Sequence, residues 1–202
     1  MAKIKFTKTA LKKQRDALKQ FKRFLPTLQL KKQQLQMEIR LSQKRLQDNE
    51  AKEAEVKANL DSWVAMFATP GADGLLPTLV VVDGIDTGRR NIAGVDVPVF
   101  DRVRYRTVDY DLFDTEPWLD NAIAMVKDLI AVRTEHEIIH EQFLLLSQEL
   151  RTTTQRVNLF EKVKIPECKA VIKKIQIYMG DMDTAGVARS KIAKKKTQEV
   201  AA

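Results

Sequence analysis

Residues 8–68 hold no glycine and one proline, and an apolar stripe with a repeat of seven runs through them. Steps of seven from Leu11 give Leu11, Leu18, Leu25, Lys32, Ile39, Leu46, Glu53, Leu60 and Phe67. Steps from Gln14 give Gln14, Phe21, Leu28, Leu35, Ser42, Asn49, Val56 and Trp63. Twelve of these seventeen positions are apolar in a segment that is otherwise mostly polar. Sustained 3-4 spacing predicts a long helix that presents one narrow seam to another helix. Over ~60 residues at ~1.5 Å each, such a helix is roughly 90 Å long.

A second seam lies near the other end. Ala122, Leu129, His136, Phe143, Leu150 and Val157 alternate with Met125, Val132, Ile139, Leu146, Thr153 and Phe160, and ten of the twelve are apolar. The register slips at Ile165-Pro166 and resumes at Cys168, Ile172, Ile175, Met179 and Met182. Proline has no amide hydrogen and clashes with the preceding turn, so a kink or break is expected there. Pro26 should likewise kink the first helix, unless the helix starts after it. One exposed stripe invites aggregation. Two stripes in one chain cover each other if the helices fold back antiparallel. The competing arrangement is an intermolecular coiled coil.

Between the seams the composition changes. Residues 69–117 hold five of the seven glycines and four of the six prolines, which mark turns. Leu79-Val80-Val81-Val82 reads as a strand, with Asp83-Gly84 as a following turn. Asn91–Phe100 and Arg102–Asp109 alternate apolar and polar residues, as in Val103, Tyr105 and Thr107. Asp114-Thr115-Glu116-Pro117 reads as the opening of the last helix, where acidic groups favour the helix N-terminus. The expected fold is mainly α: a long antiparallel two-helix coiled coil with a small insert, bearing a β-hairpin, at the hairpin end. Its parts are an N-terminal helix over 1–68, a strand- and turn-rich insert over 69–117, and a C-terminal helix with a basic tail over 118–202.

Charge follows the same division. The 202-residue chain carries a net +8, but residues 1–45 carry +12, residues 46–161 carry −10 and residues 162–202 carry +6. If the two ends lie side by side, the molecule is a rod with a positive tip and a negative opposite end. Nucleic acid fits such a tip, and so does an acidic protein socket. No apolar run approaches the ~18 residues that a membrane span needs. The basic start, MAKIKFTKTALKK, lacks the apolar core of a secretory signal. The single cysteine, Cys168, fits a reducing cytosol.

Chemistry-bearing motifs are few. His136-Glu137-Ile138-Ile139-His140 matches H-E-x-x-H, which places two histidines on one helix face with a glutamate as base. A catalytic zinc wants three protein ligands, and the chain has two histidines. Glu161 would have to supply the third, and His136 falls on the seam, away from any cleft. Gly84-Ile85-Asp86-Thr87-Gly88-Arg89-Arg90 lacks the Gly-Lys-Ser/Thr of a phosphate-binding loop and reads as a turn between strands. Cys168 reads as a small core residue. The remaining candidates are basic. Lys8, Lys12, Arg15 and Lys19 on the first helix, with Arg189, Lys191 and Lys194 on the last, are the expected partner contacts, gathered into one sleeve of charge. The tail has no interleaved aromatics for base stacking.

Several stretches resemble the D subunit of the vacuolar/archaeal-type (V/A-type) rotary ATPases. Thr7-Lys8 followed by Leu11 is similar to that family's Pro-Thr-Arg/Lys-x-x-Leu, with Phe6 at the Pro position. Leu30-Lys31 fits the end of Gly-x-x-Leu-Leu-Lys, with Pro26 and Gln29 at the Gly and first Leu positions. Asn91-Ile92-Ala93-Gly94-Val95-Asp96-Val97-Pro98 resembles the family's insert. Arg156-Val157-Asn158-Leu159-Phe160-Glu161, then Ile165-Pro166, resemble Arg-Val-Asn-Ala-Leu-Glu and Ile-x-Pro. Arg189-Ser190-Lys191 and Lys194 resemble the terminal Arg-Leu-Lys-x-x-Lys, with Asp183-Thr184-Ala185-Gly186 in place of the Glu/Arg-rich run before it.

The resemblance implies a central-stalk rotor with no active site and no cofactor. Its helical termini enter a hexamer of A and B subunits. Its insert end pairs with the F subunit and rests on the funnel-shaped subunit above the membrane ring. The protein is then cytoplasmic and peripheral to the membrane, and carries torque between a proton or sodium gradient and ATP synthesis or hydrolysis. A long, stiff, asymmetric axle suits that role, because it can press differently on otherwise equivalent sites. The alternatives are a basic hairpin gripping nucleic acid, with affinity falling steeply in salt, and a zinc hydrolase built on His136 and His140.

Overall fold

The computed structural model describes residues 4–61, 78–106, 108, 110, 111 and 117–200, with backbone alone for 199 and 200. Helix α1 (Lys8–Asp61) is followed by strands β1 (Val81–Ile92) and β2 (Val95–Arg106). Helix α2 (Leu119–Asn158), a π-helical segment (Leu159–Lys164) and helix α3 (Ile165–Val200) then run on without interruption. Two compact units divide the chain, one combining 1–32 with 152–202, the other spanning 33–151.

Thr7 caps α1: its Oγ1 accepts the Ala10 amide at 3.2 Å and its carbonyl accepts the Leu11 amide at 2.9 Å. This satisfies donors that a helix start otherwise leaves open. Every seam position expected from Leu11 to Leu60 is buried or half-buried, polar ones included. The same holds from Ala122 to Phe160. Trp63 and Phe67 lie outside the described residues.

In the unit of 1–32 and 152–202, Phe6 packs on Tyr178 with ring centroids 4.7 Å apart, and Phe21 on Phe160 at 5.0 Å. In the unit of 33–151, Leu35 packs with Leu146, Asn49 Nδ2 donates to Glu135 Oε2 at 3.1 Å, and Arg133 Nε donates to Glu53 Oε1 at 3.0 Å. Within each unit, one helix descends in number as the other rises, so the pairing is antiparallel.

Neither Pro26 nor Pro166 interrupts its helix. α1 starts ahead of Pro26 and continues through it, and Thr27 Oγ1 donates to the nearby Phe24 carbonyl at 2.7 Å. At Pro166 the helix does not break. It widens into the π segment directly ahead of the proline, where the Ile165 amide donates to the Phe160 carbonyl. A π turn accommodates one extra residue. That is the residue the seam needs: the register set by Val157 and Phe160 would next reach Lys164 and then Glu167, one residue short of buried Cys168. The seam continues through Ile172, Ile175 and Met179 and ends at exposed Met182.

The hairpin differs from the sequence reading in its turn. Asp83-Gly84 and Gly84–Arg90 lie inside β1 and are not turns; the register shifts by one residue between Val82 and Gly84 and again between Asp86 and Thr87. Such shifts absorb local irregularity without ending a strand. The reversal is at Ala93-Gly94, with φ of 50° and 80°. Two positive φ values define the type I′ turn that matches strand twist. Asn91 locks it, accepting the Gly94 amide at 3.0 Å and donating to Asp96 Oδ1 at 2.6 Å.

The hairpin lies along α2. Tyr105 Oη donates to the Lys127 carbonyl at 2.8 Å, the Lys127 ammonium sits 5.5 Å from the Tyr105 ring centre, and Gln142 donates to the Pro98 carbonyl. Ile92 and Val97 bury against Leu35 and Leu146, with Ala93 and Val95 beside them. Each such side chain contributes ~1.5–3 kcal/mol. A second cluster joins Leu79, Leu119 and Ile123 with Val80, Val108, Tyr110 and Trp118. The Thr107 and Asp109 strand positions and the Asp114-Thr115-Glu116 helix opening lie outside the described residues. Pro117 is in the turn before α2.

Candidate functional site

The candidate basic contacts all belong to the unit of 1–32 and 152–202. Lys8, Lys12, Arg15 and Lys19 are exposed, and their 4-3-4 spacing strings them along one face of α1. That face is offset by one residue from the half-buried seam of Leu11, Gln14 and Leu18. Burial of the seam therefore turns the cations outward.

Arg189, Lys191 and Lys194 are also exposed, but the structure does not bring them beside the α1 set. Phe6, just before α1, stacks on Tyr178. At ~1.5 Å per residue, Arg189 lies ~16 Å and Lys194 ~24 Å farther along α3. The expected single sleeve is instead two surfaces, one flanking the helix pair and one on the extension of α3. Nearly every residue of that extension is exposed, including Met182, Val187 and Ile192. Its polar side chains turn back onto their own helix: Arg189 Nε donates to the Ala185 carbonyl at 3.2 Å, and Ser190 Oγ to that of Gly186 at 2.7 Å.

Between α1 and α3 lies a cleft of ≈ 510 Å³, floored by Ala10, Val171 and Ile175 and edged by Lys5, Lys13 and Lys174. Cys168 is buried nearby in the seam. Burial, with help from Glu167, pushes its thiol above the ordinary range. It is therefore a packed core residue with little thiolate at neutral pH.

The H-E-x-x-H residues do not assemble a centre. The rings of His136 and His140 are parallel, 6.5 Å apart, and His136 Nε2 lies 3.7 Å from Glu50 on α1. His140 is exposed and stacks on Phe143. Glu161 belongs to the π segment of the other unit. Among the described residues, no three His, Cys, Asp or Glu side chains are placed to hold a metal ion.

Two polar features escaped the sequence reading. One is an ion-pair set in the unit of 33–151, where Glu53 accepts from both Lys57 at 2.8 Å and Arg133 at 3.0 Å. The hydrogen bond from Lys57, then that from Arg133, hold its carboxyl below the ordinary 4.5. The other is the hairpin's arginines. Asp86 holds Arg102 Nε and Arg104 Nε at 3.0 Å each. The alternation Arg102-Val103-Arg104-Tyr105-Arg106 was the available signal.

The motifs that carried the family resemblance now have structural roles. Thr7 is the cap of α1, Asn91–Pro98 is the locked turn with its buried Ile92 and Val97, and Arg156–Pro166 spans the π segment and its seam contact, Phe160. Residues 10–195 match the family described as the ATP synthase D subunit. The chain is 46% identical to the V-type ATP synthase D subunit of Borreliella burgdorferi, across 96% of this chain and 95% of that one. It is 35% identical to the protein of the same name from Chlamydia trachomatis, across 97% of each, and 31% identical to that from Chlamydia pneumoniae, across 96% and 93%. With matches running from end to end over a helix–hairpin–helix chain, this protein belongs to the D-subunit family of ATP synthases.

Proposed function

We propose that this chain is the central-stalk rotor of a V/A-type rotary ATPase or ATP synthase. It performs no bond chemistry itself. It transmits torque between the ion-translocating membrane ring and a nucleotide-binding hexamer of A and B subunits, so coupling a proton or sodium gradient to ATP synthesis or hydrolysis. The F subunit and the funnel-shaped subunit on the membrane ring are its other partners. It works on the cytoplasmic side, peripheral to the membrane; among the described residues, no helix is long and apolar enough to cross one. In this reading 1–68 and 118–202 are the axle and 69–117 its insert.

The observation that carries the reading is the pairing of two very long helices through a matched seam. Single helices bend readily, whereas a packed pair resists bending and twist. The exposed cations Lys8, Lys12, Arg15, Lys19, Arg189, Lys191 and Lys194 suit the bearing surface. Exposed ion pairs contribute ~0–1 kcal/mol each, and weak, distributed contacts allow sliding.

The test is reconstitution with the A, B and F subunits of the same cell, with a bead on the insert and the hexamer fixed to glass. ATP should turn the bead in one direction. A stationary bead on a hexamer that still hydrolyses ATP would overturn the reading. So would purification of the chain with nucleic acid instead of ATPase subunits, with retention falling steeply in salt.

A further inference from the structure

The middle of the chain is acidic, yet five of the eleven basic residues between 46 and 161 lie between 81 and 106, on the hairpin. All five are arginine, whereas the two basic ends carry nineteen lysines and five arginines. Arginine is the residue for forked, planar recognition of carboxylate or phosphate; lysine is a mobile point charge.

Three of these arginines form an organised row. Arg102, Arg104 and Arg106 recur at every second residue of β2, ~6.6–6.8 Å apart. Their side chains are 72%, 55% and 67% exposed. The two oxygens of Asp86 each hold one Nε, of Arg102 and of Arg104, at 3.0 Å, and Asp83 stands 3.9 Å from Arg106. Nε binding fixes the guanidinium planes of Arg102 and Arg104. Gly84 completes the seat: a Cβ there would meet Arg104 Nη2 at 2.9 Å, so a larger residue would displace the guanidinium.

The neighbours discriminate between ligands. Val82 and Ile85 on β1 pair with Tyr105 and Val103, and so lie on the other face of the ribbon from the row. A base-stacking platform is missing here, because Tyr105 turns its hydroxyl to the Lys127 carbonyl of α2. The spacing equals that of alternate side chains on an extended peptide.

We propose that the outer row of Arg102, Arg104 and Arg106, seated by Asp86, Asp83 and Gly84, docks an extended segment of a partner protein that carries carboxylates at alternate positions. The proposal is independent of the rotor reading, and its failure leaves that reading untouched.

The probe is a fluorescein-labelled Glu-Val-Glu-Val-Glu-Val peptide, titrated with the full chain at roughly physiological salt and followed by anisotropy. Arg102→Lys/Arg104→Lys/Arg106→Lys keeps the charge and removes the fork, and should weaken binding about tenfold or more. Gly84→Val should weaken it in the same direction by displacing Arg104. Circular dichroism and the melting temperature of each variant should match the parent. Equal affinity of parent and triple-lysine proteins would overturn the proposal, since the peptide would then be held by charge alone or elsewhere. Tighter binding of a single-stranded oligonucleotide, or of phosphoinositide vesicles, lost in the same triple variant, would overturn it in favour of a phosphate ligand.

Discussion

Cys168 and Glu53 show how neighbours set the behaviour of single groups. Cys168 is 6% exposed, and its thiol is pushed up mainly by burial. Iodoacetamide should therefore label it at least about tenfold more slowly in the folded chain than in guanidinium. Mass spectrometry of timed aliquots measures this, and equal rates would mean that the seam around Cys168 is open. Glu53 is the opposite case, with its carboxyl held below 4.5 by Lys57 and Arg133. A depressed acid favours the folded state above its ordinary value and loses that contribution as pH falls through the lowered one. Glu53→Gln should therefore melt below the parent at pH 7, and the gap should narrow once pH falls under 4.5. A gap that stays constant down to acid pH would assign it to packing.

At the scale of elements, the π segment is the informative case. It holds one residue more than the heptad needs, and so keeps Cys168 and Ile175 on the seam. Deleting exposed Val163 should let the segment close into ordinary α-helix with the seam intact. Thermal unfolding of that variant should stay within ~1 kcal/mol of the parent. Deleting exposed Glu137 instead should rotate the following seam residues, Ile139 and Leu146 included, out of the core. Each large side chain withdrawn costs ~1.5–3 kcal/mol, so the loss should be several-fold larger. Denaturant melts of the two deletions decide this; equal losses would remove the register role of the π turn.

For the whole molecule, the prediction concerns assembly. Arg189→Ala/Lys191→Ala/Lys194→Ala should leave the melting temperature of the isolated chain unchanged, because these side chains are exposed on the α3 extension. In the reconstituted complex it should lower ATP-driven ion transport relative to ATP hydrolysis, or lower the yield of complex. Full coupling and normal assembly would show that these cations do not bear on the partner. Neutralising Lys8, Lys12, Arg15 and Lys19 tests the second surface separately, since the two sets are well apart along the helices.

The sequence alone determined the long helices, their seams down to the polar positions Ser42, Asn49 and Glu53, and the hairpin-bearing insert between them. Heptad spacing is a local, repeated signal, and one polar residue on the seam does not erase it. The family was legible for a related reason: the motifs at Thr7, Asn91–Pro98 and Arg156–Pro166 sit where the backbone needs a cap, a tight turn and an extra residue. Only the tertiary structure decided where the hairpin turns, what it lies on, and how Pro166 is absorbed. Asp83-Gly84 carries as strong a local turn signal as Ala93-Gly94. Burial of Ile92 and Val97 against Leu35 and Leu146, residues distant in sequence, selects between them. The separation of the two basic surfaces was likewise set by packing, through Phe6 meeting Tyr178, because charge patterns carry no information about where a partner helix begins.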